Sequence, residues 1–150
     1  MQNTIKNQFC IRGTSLHEGS LVNLRVMPAS ASTGIRFRRI DVTNGNQFIT
    51  ADYNSVSNTE LCTQITNKDD VRVQTIEHLM AALAGTGVHN ALIEIDGPEV
   101  PILDGSSQEF VKKILSVGKK ALNVPVNGFK VAKSIIVTNG SAWAKFTPAE

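Results

Sequence analysis

Thr75-Ile76-Glu77-His78-Leu79-Met80-Ala81-Ala82-Leu83-Ala84-Gly85 is the stretch on which the fold of this chain turns. Ile76, Leu79, Met80 and Leu83 recur at the spacing of one helix face, and alanines fill most of the remaining positions. Thr75 is the expected N-cap and Gly85 the expected stop. Strand-like runs bracket this helix on both sides, which predicts an α+β chain.

Upstream, Phe9 to Ile11 is a short apolar run. Leu21, Asn23 and Arg25 alternate with Val22, Leu24 and Val26 until Pro28 stops the pattern. Between them lies a glycine-bounded loop, Gly13-Thr14-Ser15-Leu16-His17-Glu18-Gly19. Ile35 to Ile40 reads as a third strand, closed by the turn-prone Asp41 to Asn46. Val56 to Ile65 is expected to hold one more strand, with Asn67 to Asp70 as a polar turn.

Downstream, Ala91 to Ile95 alternates only weakly and reads as a strand buried on both faces, broken by Pro98 and Pro101. Ser106 or Ser107 is placed to cap a second helix, with Phe110, Val111, Ile114 and Leu115 as its apolar face. After Gly118 the character shifts. Lys119 to Gly128 resembles a linker, and Phe129 to Val137 and Ala142 to Phe146 read as two strands around Asn139-Gly140, a strong hairpin signal. The expected organisation is one domain over residues 1–120, then a linker and the first hairpin of a second, incomplete domain over 121–150. A lone hairpin is marginal in water, so its open edge is the expected point of fraying or of pairing with another molecule.

Bulk numbers narrow the class. The 150 residues are 41% hydrophobic and 19% charged, a globular balance with enough apolar material for a core. A formal net charge of +2 is too small by itself to suggest a nucleic-acid binder, and none is expected. Only Arg36, Arg38 and Arg39 cluster, alternating with Ile35 and Phe37. A solvated strand face is the plain reading there, and an anionic-ligand role the sharper one. Cys10 and Cys62 lack metal-ligand spacing and sit in apolar runs, so reduced, buried thiols are expected. No segment is apolar for long enough to span a bilayer, and Met1 to Gln8 is too polar to read as a leader. A cytoplasmic setting follows as the expectation.

The chemistry-bearing candidates are few. Glu77 and His78 sit side by side at the first turn of the expected helix. Histidine is the commonest metal ligand, and a neighbouring carboxylate can serve as general base. The spacing is not HExxH, because position 81 is alanine, and by itself it fits a structural or solvated pair better than a metal site. His17, in the loop, and His89, before Asn90, read as satisfied structural histidines, and three histidines in such different settings give no reason to converge on one metal. Asp104-Gly105-Ser106 reads as a turn and helix cap, or as a carboxylate and backbone amides that orient a ligand.

Taken in order, several stretches resemble the amino-terminal half of the UDP-3-O-acyl-N-acetylglucosamine deacetylase family. They are Leu16-His17-Glu18-Gly19, Thr33 to Arg39, Leu61-Cys62-Thr63, Val71-Arg72, Thr75 to Gly85, Asn90, Glu99 to Ser106 and Trp143 to Phe146. The helix carrying Glu77 and His78 and the Pro101-Ile102-Leu103-Asp104-Gly105-Ser106 stretch are the most specific. That family performs the committed step of lipid A synthesis in Gram-negative bacteria. The resemblance implies a two-layer sandwich of a β-sheet backed by helices, like the second domain of ribosomal protein S5. It also implies a second similar domain, with the active site between the two.

By the same resemblance Glu77 is the general base, His78 is one zinc ligand, and Leu61 and Cys62 line the substrate passage near the metal. The implied reaction is metal-assisted hydrolysis of the acetamide of a UDP-3-O-acyl-glucosamine substrate, releasing acetate. The family's remaining zinc ligands, a histidine and an aspartate, belong to its second domain, as do the lysine and histidine that stabilise the oxyanion and protonate the leaving amine. The expectation is therefore a half-enzyme, inactive alone, completed by a carboxy-terminal half or by a second copy. The alternative is a non-catalytic binding or regulatory module that reuses the domain. Ser15 stands where the family loop usually has glycine.

Overall fold

The computed structural model describes residues 1–149. In chain order the strands are β1 (Asn3–Ile5), β2 (Phe9–Thr14), β3 (Leu21–Pro28), β4 (Ile35–Arg39), β5 (Phe48–Thr50), β6 (Val56–Asn58), β7 (Gln64–Thr66) and β8 (Arg72–Val73). They continue with β9 (Ala91–Ile95), β10 (Lys119–Ala121), β11 (Ile135–Asn139) and β12 (Ala142–Phe146). Helix α1 (Glu77–Gly85) separates β8 from β9, and α2 (Gln108–Val117) separates β9 from β10. The chain is α+β, as its patterning predicts.

A five-stranded sheet in the order β2-β3-β9-β4-β5 forms the body. Its neighbours are antiparallel except for β4 and β9, which run parallel. Alternation decides which face is buried. Val22, Leu24 and Val26 point inward from β3, while Leu21, Asn23 and Arg25 are exposed. Leu79, Ala82 and Leu83 of α1 and Phe110 and Ile114 of α2 join these residues, Phe37 and Ile93 in one hydrophobic core. Each Val, Leu, Ile or Phe side chain among them contributes about 1.5–3 kcal/mol through burial.

The central strand β9 is largely buried on both faces, in agreement with its weak alternation. On the outer face Glu94 lies opposite Arg25 in β3 and Arg38 in β4, and it pairs with both. Arg36 and Arg38 also lie over the ring of Phe48, 4.8 and 5.6 Å from its centroid. Arg39 turns inward, 8% exposed, and forms a two-pronged bond to Asp41 at 2.7–2.8 Å. The arginine cluster is thus mostly matched within the chain.

Several expectations need correction. Val56 to Ile65 is not one strand: β6 and β7 pair antiparallel across a loop, and β8 completes a small three-stranded sheet. Thr75 caps nothing, because the cap position is Ile76, and Thr75 is buried in a left-handed conformation. Leu115 is 61% exposed, so the apolar face of α2 is narrower than its spacing suggests. Lys119 to Ala121 is no linker but strand β10, paired with β1. Backbone pairing rather than side-chain burial holds it there, so no hydrophobic pattern announces it.

Cys10 is exposed and Cys62 half-buried, against the expectation of two buried thiols. Cys10 shares the outward register of β2 with Arg12. The hairpin β11–β12 forms around Asn139-Gly140 as predicted, but begins at Ile135 rather than Phe129. Both of its strands are exposed at every position. No helix among the described residues is long and apolar enough to cross a membrane.

Candidate functional site

The entry to α1 gathers the features that the sequence singles out. Strand β8 leads into Gln74, whose amide donates to the Pro98 carbonyl at 2.9 Å and whose carbonyl accepts from the Val100 amide at 3.1 Å. Thr75 then turns the chain with φ of 56°, and Glu77 opens the helix. Glu77 Oε2 accepts the Thr63 amide at 2.9 Å, which leaves Oε1 without a partner among the described residues. That bond ties the start of α1 to the loop carrying Leu61 and Cys62.

Leu61 is 88% exposed and takes φ of 63°. A bulky residue in that region costs on the order of 1–3 kcal/mol and persists only where its surroundings impose it. Beside Glu77 opens a cleft walled by Tyr53, Val56, Thr63, Ile65, Ile76 and Met80. The wall is mainly apolar, with two carboxylates at its side, Glu77 and Asp52, the latter accepting the Asn54 and Ser55 amides at 2.8 and 3.2 Å. Leu61 and Cys62 adjoin it in sequence through Thr63 without lining it, and His78 does not line it either. His78 is half-buried and makes no side-chain hydrogen bond within the described residues.

His17 and His89 are occupied elsewhere. The Nδ1 of His89 accepts the Asn3 amide at 3.1 Å, so this histidine joins β1 to the start of β9. His17 Nδ1 lies 2.7 Å from Oε1 of Glu99. Asp104 binds its own turn: Oδ1 accepts the Ser106 amide at 3.0 Å and the Ser106 hydroxyl at 2.9 Å, bonds that hold its carboxyl below the usual range. Ser106 Oγ in turn accepts the Gln108 amide at 3.1 Å, which matches the turn-and-cap reading. Ser107 holds the cap position, but its side chain caps nothing.

Sequence reasoning missed Glu99 as an individual residue. Its side chain is fully buried, yet it is well satisfied. It accepts the His17 amide at 3.0 Å, the Glu18 amide at 3.1 Å, the Thr75 hydroxyl at 2.7 Å and the His17 ring. Burial alone would raise its pKa, but the hydrogen bonds from Thr75, Glu18 and His17 prevail and hold it below the usual carboxylate value. The available signal was a lone acid between Pro98 and Pro101 in an otherwise apolar stretch.

As a metal site the arrangement is partial. Among the described residues no group of three or more His, Cys, Asp or Glu side chains is placed to hold one ion. Catalytic zinc ordinarily takes three protein ligands. The donor set of these residues therefore does not fit a whole zinc centre, and His78 is the one unengaged histidine beside the candidate base.

Comparison with known proteins agrees with the resemblance read from the residues. A protein from Photobacterium profundum, named UDP-3-O-acyl-N-acetylglucosamine deacetylase, is 43% identical over 147 residues, covering 98% of this chain and 48% of the relative. A protein of the same name from Vibrio cholerae serotype O1 is 44% identical over the same shares, and one from Hamiltonella defensa is 43% identical. The chain spans about half the length of the curated relatives it matches. With residues 2–150 matching the model of the LpxC family, described as UDP-3-O-acyl N-acetylglycosamine deacetylase, the chain belongs to that family.

Proposed function

We propose that this chain supplies one half of the active site of a zinc-dependent UDP-3-O-acyl-N-acetylglucosamine deacetylase acting in lipid A biosynthesis. Glu77 is the general base, His78 is one zinc ligand, and Leu61 and Cys62 flank the approach of the acylated UDP-glucosamine substrate. The observation that carries this reading is the Thr63–Glu77 hydrogen bond. It fixes one carboxylate oxygen and leaves the other free to receive a proton, beside the loop that bears Leu61 and Cys62. A base needs this kind of fixed geometry before its pKa matters.

Zinc, when bound, supplies Lewis acidity toward the acetamide carbonyl and the attacking water. Its other protein ligands belong, on this reading, to the part of the family's length that the chain does not span. They would come from a complementary carboxy-terminal half or from another copy. The five-stranded sheet with α1 and α2 packed against it supports assignment to the two-layer sandwich of the ribosomal protein S5 domain 2 type. The reading assigns a first domain to residues 1–120, which β10 extends through Ala121, and the linker and opening hairpin of a second to the rest of 121–150, and it assigns the enzyme to the cytoplasm.

The test combines this chain with the carboxy-terminal half of a family relative, in the presence of zinc, and follows acetate release from UDP-3-O-acyl-N-acetylglucosamine. Turnover is expected, falling by about 10²–10⁴-fold in the Glu77→Ala variant. Substrate binding without hydrolysis in any combination would instead favour a non-catalytic module, and turnover indifferent to Glu77→Ala would refute the assignment of the base.

A further inference from the structure

Thr75 holds a conformation that threonine rarely adopts. Its φ of 56° is in the left-handed region, where a β-branched side chain crowds the backbone. The residue is only 2% exposed, and it stands where the chain turns from β8 into α1, two positions before Glu77. A rotation at Thr75 would swing the first turn of α1 relative to Thr63. The direction of the Glu77 carboxylate therefore depends on what keeps Thr75 in place.

That anchor is Glu99. The Thr75 hydroxyl donates to Glu99 Oε1 at 2.7 Å. Glu99 is itself immobilised from another part of the chain, through the amides of His17 and Glu18 and the His17 ring. The loop carrying these donors is closed by the Ser15 amide on the Ser20 carbonyl at 2.9 Å and the Ser20 amide on the Ser15 hydroxyl at 3.1 Å. Residues 15–20, Glu99 and Thr75 thus form one brace, and none of the three is adjacent in sequence to another. Full satisfaction of a buried carboxylate by four donor groups makes it rigid.

We propose that Glu99 is a positioning residue, which holds Thr75 in its left-handed conformation and thereby keeps the Glu77 carboxylate against the Thr63 amide. The catalytic meaning of this brace rests on the reading of Glu77 as general base. The brace itself can be tested without any turnover.

Amide hydrogen exchange of the chain, read by NMR, reports the Thr63 amide directly, while the Ile93 amide in the central strand reports global opening. Thr75→Val keeps the shape of the side chain and removes its hydroxyl. In that variant, and in Glu99→Gln, Thr63 exchange is expected to accelerate roughly tenfold beyond any change at Ile93. Thr75→Ser retains the hydroxyl and should keep Thr63 protection at the parent level. Adding Thr75→Gly to Glu99→Gln should restore protection, because glycine enters the left-handed region without steric cost.

Unchanged Thr63 protection in Thr75→Val and Glu99→Gln overturns the proposal. So does a Thr63 loss no larger than that at Ile93, which would mark Glu99 as a general fold stabiliser alone, and so does failure of glycine to rescue. Should Glu99→Gln not fold, the contrast between Thr75→Val and Thr75→Ser still decides. Failure of the deacetylase reading leaves the Thr63 result standing, whereas an unmoved Thr63 beside a Glu77-dependent turnover removes the brace alone.

Discussion

The five-stranded body and the hairpin β11–β12 are built from similar residues and end in opposite states. Strand β9 reads Ala-Leu-Ile-Glu-Ile, and β11 reads Ile-Ile-Val-Thr-Asn. Four of five positions in β9 are buried, whereas every position of β11 and β12 is exposed, including Ile136, Val137, Trp143 and Phe146. The hairpin has its turn and its cross-strand register, but no sheet neighbours beyond itself among the described residues. Local chemistry is therefore sufficient to shape a strand pair, and stability comes only from a surface to pack against.

Substitutions can break this contrast at either end. The largest effect is expected from Phe37→Ala. Phe37 is fully buried between the sheet and the helices, and its loss should cost about 3–5 kcal/mol in urea unfolding. A cost under about 1 kcal/mol would mean that the core is looser than its packing implies.

Next comes the buried carboxylate. Glu99 has a folded pKa below its ordinary 4.5. Its charged form therefore adds stability that is fully present above 4.5 and lost as pH falls through the folded value. Urea midpoints measured against pH should decline on the acid side of 4.5, and the decline should be shallower in Glu99→Gln. Some slope should survive in the variant, since Asp41, hydrogen-bonded to Arg39, is depressed in the same direction. An identical acid limb in both proteins would show that Glu99 is not the group being titrated.

A smaller loss is expected at Gly97, where an added Cβ would meet a methyl of Val22 at 3.0 Å. Gly97→Ala should cost about 1–3 kcal/mol if Val22 cannot yield, and the thermal midpoint would record it. The smallest effect belongs to the hairpin. Trp143→Ala should leave global stability within about 0.5 kcal/mol, despite removing the chain's one tryptophan. A larger loss would reveal that the hairpin face is covered in solution, by a second copy or another partner, and the dependence of the midpoint on protein concentration would separate those two cases.

Much of the architecture was legible because periodicity reports burial. The alternation of β3 and the helical spacing of Leu79 and Leu83 each name the face that meets the core, and both did so correctly. Leu115 misled because a helical stripe marks an apolar face without showing how much neighbouring structure covers it. Strand β10 escaped notice because Lys119-Lys120-Ala121 is held by backbone bonds to β1, which leave no imprint on side-chain type. Of the candidate site, Glu77 and His78 could be singled out as residues, but neither the Thr63 bond nor the role of Thr75 could be. Threonine before a helix signals a cap, and here the chain uses its hydroxyl to reach a carboxylate 24 positions away.

The sequence by itself determined the α+β class, the place of both helices, the turn at Asn139-Gly140 and the membership of a deacetylase family, since each of these is written in local patterns. Only the tertiary structure decided that Glu99 is the buried hub joining His17, Glu18 and Thr75, and that the loop at Thr63 grips Glu77. Contacts between segments this far apart depend on how sheet and helices pack, and no window of neighbouring residues contains that information.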